Sequence, residues 1–239
     1  MSAGALTEDV PLTFQSAVLS SFLPTTADAT ALLEFSIDFA GRALKDGADL
    51  SVLASQFPSL GLDETLVVAH VESLDGRSRL VPVAIGELAG DRYMARAVHG
   101  LSGIRLGGRY VWYRVTGGIG FVRGLTDAAG TPVSTVVEVS GVPFATPGVD
   151  GRYATVGRAG SVTVRARAAG TSLAGDEDAT TVAGAEVTVN ISLVGEVTAA
   201  TVTPATGAIA VSPGAQVEVS SSVPIKPGSL TTVYYLNGN

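Results

Sequence analysis

Three stretches decide the fold: GFVRGLTDAAGTPVSTVVEVSG at 120–141, VDGRYATVGRAGSVTVRARAAG at 149–170 and AGAEVTVNISL at 183–193. Each alternates apolar with polar residues, the period-two pattern of a strand with one buried face. Val162, Val164 and Ala166 fall on one side of their strand, with Thr163, Arg165 and Arg167 on the other. Val187, Val189, Ile191 and Leu193 alternate in the same way with Thr188, Asn190 and Ser192. Turn residues separate the runs. Asp127 to Gly130 precedes Pro132 and a strand at Thr135 to Val139, and Asp150-Gly151 precedes Arg152-Tyr153. Strands at short spacing with no helical crossover predict an all-β chain of antiparallel sandwiches and argue against a parallel α/β sheet.

The same grammar extends upstream. In ALLEFSIDFAG, Leu33, Phe35, Ile37 and Phe39 share a face, with Glu34, Ser36 and Asp38 on the polar side. Val67, Ala69 and Val71 alternate with Val68, His70 and Glu72, and Leu80 to Ile85 forms a second run. Asp75-Gly76 between them predicts a hairpin turn. Arg109 to Val115 adds another strand, with Val111, Tyr113 and Val115 on one face and Tyr110, Trp112 and Arg114 on the other. The spacing over Asp49 to Gln56 predicts a short helix with Asp49 as its N-cap. The 29 Gly and 11 Pro act as punctuation throughout.

The 239 residues are 46% hydrophobic and 15% charged, enough apolar material for a core and too much for intrinsic disorder. A net charge of −7 disfavours nucleic acid and anionic membrane surfaces. The absence of cysteine removes disulfides, thiolate zinc sites and Cys nucleophiles together. No apolar run reaches the roughly 18 residues of a membrane helix. MSAGALTEDVPLTF lacks the basic and apolar regions of a signal peptide.

Gly124, Asp127, Gly130, Pro132 and Val133, then Asp150, Gly151 and Tyr153, then Gly160 with Val162 to Val164, and finally Ala183, Gly184 and Val187 to Leu193 form one series. On these residues 118–193 resembles the carboxypeptidase regulatory-like (transthyretin-like) domains of secreted and cell-surface bacterial proteins. Two positions depart from the pattern: Thr135-Val136 where Gly-Ala is common, and Asp176 to Asp178 where an aromatic is frequent. Residues 194–239 resemble the first half of a bacterial Ig-like domain, through Pro204, Gly207, Ala208, Val211, Val217, Val219, Ser222, Pro224, Pro227, Ser229 and Leu230. That segment is less than half of the roughly 100 residues such a sandwich takes. The expectation is a tandem of 1–117, a sandwich of unassigned family, 118–193, and an incomplete 194–239, completed by further chain or by a partner.

Candidate sites are few. His70 and His99 lie far apart with no metalloprotease spacing, and no nucleophile elbow, P-loop or dinucleotide fingerprint is present. Gly117-Gly118-Ile119-Gly120 reads as a linker. Asp176-Glu177-Asp178 offers oxygens for Ca²⁺ but lacks spaced ligand positions, so it reads as a solvated loop. Tyr110, Trp112 and Arg114 on one strand face raise a carbohydrate platform, but the same alternation fits a face packed under a loop or against the second domain, and Trp112 is the one tryptophan. Asn190-Ile191-Ser192 is a glycosylation sequon inside an expected strand. No catalytic, cofactor-binding or metal residue is nominated, and no cofactor. The expectation is a non-enzymatic structural, spacer or adhesive module of an extracellular or cell-surface assembly. It would contact protein partners, or copies of itself, through exposed strand edges. A polysaccharide-binding accessory module of a secreted hydrolase is the alternative.

Overall fold

The structure, a computed structural model, describes residues 13–17, 19–20, 23–24, 26–74 and 76–195, with the backbone of 200–203 and 218–221. Residues up to 116 supply β1 (Thr13–Ala17), β2 (Ala29–Asp38), β3 (Ser51–Leu53), β4 (Glu64–Leu74), β5 (Arg77–Ala89), β6 (Arg92–Arg96) and β7 (Gly108–Thr116). They form one antiparallel seven-stranded sheet in the order β1-β2-β7-β4-β5-β6-β3. The fold is all-β, as the alternation predicts. Gly76 closes the β4–β5 hairpin at φ +69°, where Leu74 pairs with Arg77; Asp75 lies outside the described residues.

The predicted helix over Asp49 to Gln56 is corrected. Ser51–Leu53 is an edge strand paired with Met94, Tyr93 and Arg92, followed by a single 3-10 turn at Ala54–Gln56. Leu50 and Val52 pack against the core from this edge, so tertiary pairing overrides the local helical pattern.

The central strands are buried on both faces. Val67, Val68, Ala69, Val111, Trp112 and Tyr113 have no accessible surface. One face, with Leu66, Val68, Tyr110 and Trp112, closes under Phe39, Leu44, Phe57 and Ile104 from the connecting segments. A register shift between Ala31 and Leu33 makes β2 change sides. Ala29 and Ala31 face the second core, whereas Leu33, Phe35 and Ile37 face the first.

The next strands are β8 (Ile119–Ala128), β9 (Thr131–Pro132), β10 (Thr135–Val139), β11 (Ala145–Gly148), β12 (Arg152–Arg158), β13 (Gly160–Arg167), β14 (Ala174–Thr181), β15 (Glu186–Thr188) and β16 (Ile191–Ser192). The sheet β11-β10-β13-β14 faces a second sheet built around β8. In the latter, β12 and β9 pair antiparallel to β8, and β15 and β16 pair parallel to it. Val122, Val137, Val164, Ile191 and Leu193 fill the sandwich between them.

The quoted turn residues have local work here. Asp150 and Gly151 both adopt positive φ, +50° and +74°, as a two-residue type I′ hairpin requires, and Val149 and Arg152 exchange both backbone hydrogen bonds across it. The Asp127 carboxylate accepts from Gly130 N–H at 3.0 Å. Gly124 lets the Val189 carbonyl approach so closely that a Cβ would lie 1.7 Å from its oxygen. That carbonyl accepts from the buried Tyr153 hydroxyl at 2.6 Å, and burial raises the phenol's pKa. The expected strand at 187–193 is therefore broken at Val189-Asn190, while its inward alternation is kept at Val189, Ile191 and Leu193.

The first sheet ends at Thr116 and β8 begins at Ile119, but the apolar core does not divide there. The second face of the first sheet is covered in large part by Ile119, Phe121, Phe144 and Val156 from beyond the glycine turn. Leu80 and Phe144 are joined by an isolated parallel bridge. Farther on, β17 (Ala200–Thr203) and β18 (Glu218–Ser221) form an antiparallel pair. Among the Ig-like positions only Val219 is described, in backbone alone; the other ten lie outside the described residues.

Candidate functional site

The junction of the two sheet systems gathers most of the chemistry that the fold brings together. Arg158 ion-pairs with Asp28, and Arg79 Nη1 meets Glu138 at 2.7 Å. His99, in the left-handed region at φ +50°, stacks on Phe121 with ring centroids 4.0 Å apart. Its Nδ1 lies 3.4 Å from Glu186, whose other oxygen accepts from Arg123 Nε at 2.8 Å. His99 thus serves as a cross-junction latch, and half-exposed ion pairs of this kind add little stability beside the apolar core they surround.

A cleft of about 420 Å³ opens at one end of this junction. Leu23, Val71, Leu80, Val142 and Phe144 line its floor, and Arg79, Glu138 and Arg165 stand at its rim. Arg165 is placed by the β10-β13-β14 register, in which it lies opposite Glu138 on one side and Asp176 on the other. These residues carried no sequence signal as a group, because their proximity depends on strand order and on how β5 docks against the second sandwich.

A second cluster lies in the first sheet. Glu34, read as solvent-facing from its alternation, is 1% exposed. Its carboxylate accepts from Ser20 N–H at 2.8 Å, the Ser20 hydroxyl at 3.1 Å and Arg109 Nε at 2.8 Å. Burial pushes its pKa up, but the hydrogen bonds from Arg109 and Ser20 outweigh that and hold it below the ordinary value. The carboxylate has its partners within the fold, and the cluster ties the 19–20 segment to the sheet.

His70 is buried, stacked on Tyr110 at 4.5 Å, with Nδ1 2.8 Å from Glu72. Tyr110 donates to the Leu106 carbonyl at 2.5 Å. Together these groups pin the 102–108 loop to the sheet. Among the described residues no three His, Asp or Glu side chains stand together as a metal site.

The carbohydrate platform is corrected. Trp112 has no exposed surface and Tyr110 only 1%, because Phe57 and the loop residues cover that face. An aromatic without exposed surface cannot stack on a sugar. Asp176-Glu177-Asp178 is also corrected, since it lies in β14 and not in a loop. Asp178 accepts from the Thr163 hydroxyl at 2.8 Å, and all three side chains are exposed along a sheet edge. Asn190 sits in the break between β15 and β16, where its Oδ1 accepts from Leu125 N–H at 3.0 Å. Gly117 and Gly118, at φ +86° and +73°, form the turn from β7 to β8.

No known protein-family model matches the chain, and no curated protein matches it. Among solved structures, it has a distant likeness to the Bacillus anthracis TIE protein, at 10% identity and a TM-score of 0.28. The match covers 79% of this chain and 41% of that one.

Proposed function

We propose that this chain is a non-catalytic structural module, a stiff spacer or adhesive segment of an extracellular or cell-surface bacterial protein. The observation that carries this reading is the apolar core continuing through the two-glycine turn, where Phe121, Phe144 and Val156 pack against Val111, Tyr113 and Val115. A spacer must hold the angle between its parts under load, and a shared core does so where a flexible linker does not. The likeness of 118–193 to carboxypeptidase regulatory-like domains, carried by the turn residues quoted above, supports the surface location. No helix among the described residues is long and apolar enough to cross a membrane.

Contact with neighbours is assigned to unpaired strand edges, since such edges template β-augmentation. Two measurements test the reading. Protease shaving of intact cells producing the full protein should release peptides from this chain; peptides appearing only after lysis would refute the surface location. Pulling the chain between residues 13 and 195 should give no separation of the two sheet systems below the force that unfolds either. An early low-force extension would refute the stiff spacer.

A further inference from the structure

We propose that the junction cleft binds a small amphipathic organic anion, with its carboxylate on Arg165 and its apolar body against Leu80 and Val142. The volume, about 420 Å³, lies in the range of small-molecule sites, and an apolar floor with a few polar groups at the rim is their usual composition. The choice of ligand follows from how the rim charges are spent. Glu138 stands between two arginines but gives its carboxylate to Arg79 at 2.7 Å. Arg165 has no acid within 4 Å among the described residues, although Glu138 and Asp176 flank it in register. The cleft thus presents one uncompensated guanidinium in a chain of net charge −7.

The hydroxyls follow the same division. Thr163 gives its proton to Asp178, while Ser140 Oγ accepts from Thr163 N–H at 2.9 Å and keeps its own proton to donate. A single cation beside a hydroxyl donor above an apolar floor suits a monoanion with a hydrocarbon body. A polyphosphate would need more cations than the cleft offers, and a metal cation would be repelled by Arg165. A carboxylate accepting from a guanidinium gains a charge-assisted hydrogen bond with planar geometry.

Octanoate is a suitable probe, with octanamide as its neutral isostere, each titrated into ¹⁵N-labelled full chain. Octanoate should bind saturably, with shifts concentrated at 78–80, 139–145 and 163–165, and octanamide should bind about tenfold more weakly. Arg165→Gln should weaken octanoate about tenfold and leave octanamide unchanged. Val142→Trp, which fills the cleft, should remove both. Thermal melting confirms that each variant is folded; Arg165 is an exposed strand-face residue with no carboxylate within 4 Å among the described residues, so its variant should melt with the parent. Equal affinity for the acid and the amide, octanoate binding unaffected by Arg165→Gln, or shifts scattered over exposed apolar sites such as Leu62 and Leu88 would each overturn the proposal, as would the absence of saturable binding.

Discussion

Phe144→Ala tests whether the two sheet systems share one core. Phe144 comes from the β10–β11 connection, is 2% exposed, and meets Tyr113 of β7 edge to face at 5.6 Å and 88°. Truncating a buried Phe costs about 3–5 kcal/mol, the sum of lost transfer energy and the cavity left behind. A domain's whole stability is about 5–15 kcal/mol, so the loss is a large fraction of it. With a urea dependence of about 2–3 kcal/mol per molar, the midpoint should fall by about 1–2.5 M. Trp112, the sole tryptophan, lies on the far face of the first sheet, so its fluorescence reports that sheet alone. Far-UV circular dichroism reports all strands. In the parent the two signals should trace one transition, because neither system can open without uncovering the other's core. In Phe144→Ala the Trp112 transition should shift although the substitution is made in the second sandwich. Leu88→Ala, at an exposed position, should stay within about 0.5 kcal/mol of the parent. A Trp112 transition well separated from the circular dichroism transition in the parent, or a midpoint unchanged in Phe144→Ala, would refute the shared core.

Other expectations concern single sites. Gly124→Ala should lower stability by at least about 3 kcal/mol in thermal or urea unfolding, since its Cβ would meet the Val189 carbonyl, whereas Gly130→Ala, with open space around it but φ +79°, should cost about 1 kcal/mol. Glu34 has its pKa lowered by folding, so its contribution is present above the ordinary value of 4.5 and fades as pH falls through the folded value. The stability gap between the parent and Glu34→Gln, measured by urea unfolding, should therefore be largest near pH 7 and shrink in acid; a gap independent of pH would count against the hydrogen-bonded carboxylate. Replacing Asp176, Glu177 and Asp178 together with their amides removes the charge that guards the β14 edge, and light scattering should then detect more association than in the parent at the same concentration.

Much of the fold is legible in the chain because the signals are local. Two-residue turns such as Asp150-Gly151 announce themselves by the backbone angles they need, and inward alternation at Val162, Val164 and Ala166 needs only one buried face. Legibility fails where burial comes from distant chain. Glu34 looks like a solvent-facing residue until Arg109 and Ser20, remote in sequence, are brought to it. The Tyr110–Trp112 face looks open until Phe57 closes over it. The run at 51–53 carries a helical spacing, yet an open position beside β6 was available to pair with it. The rim of the cleft is the extreme case. Arg79, Glu138 and Arg165 belong to three strands, and nothing in the local pattern of any one points to the other two.

The two-sided burial of β4 and β7 explains why these failures cluster. A sheet with one wet face would make its alternation a complete description, and each strand could be read alone. Here the junction face of the first sheet is finished by residues from the second sandwich, so Ala29 and Ala31 of β2 and the apolar residues Ile119, Phe121 and Val156 of β8 and β12 answer to the same core. Phe121 packs inward toward the first sheet while its neighbour Val122 packs into the second sandwich. β8 thus serves two cores through alternate residues. A strand used in this way cannot tolerate a register slip, because moving by one position would exchange the two cores' contents. The parallel additions β15 and β16, the Gly124–Val189 approach and the Asn190 bond to Leu125 all act on β8 and hold its register. The structural weight of the chain therefore falls on β8, where a substitution disturbs the packing of both cores directly, whereas one in β14 or β3 disturbs the packing of one.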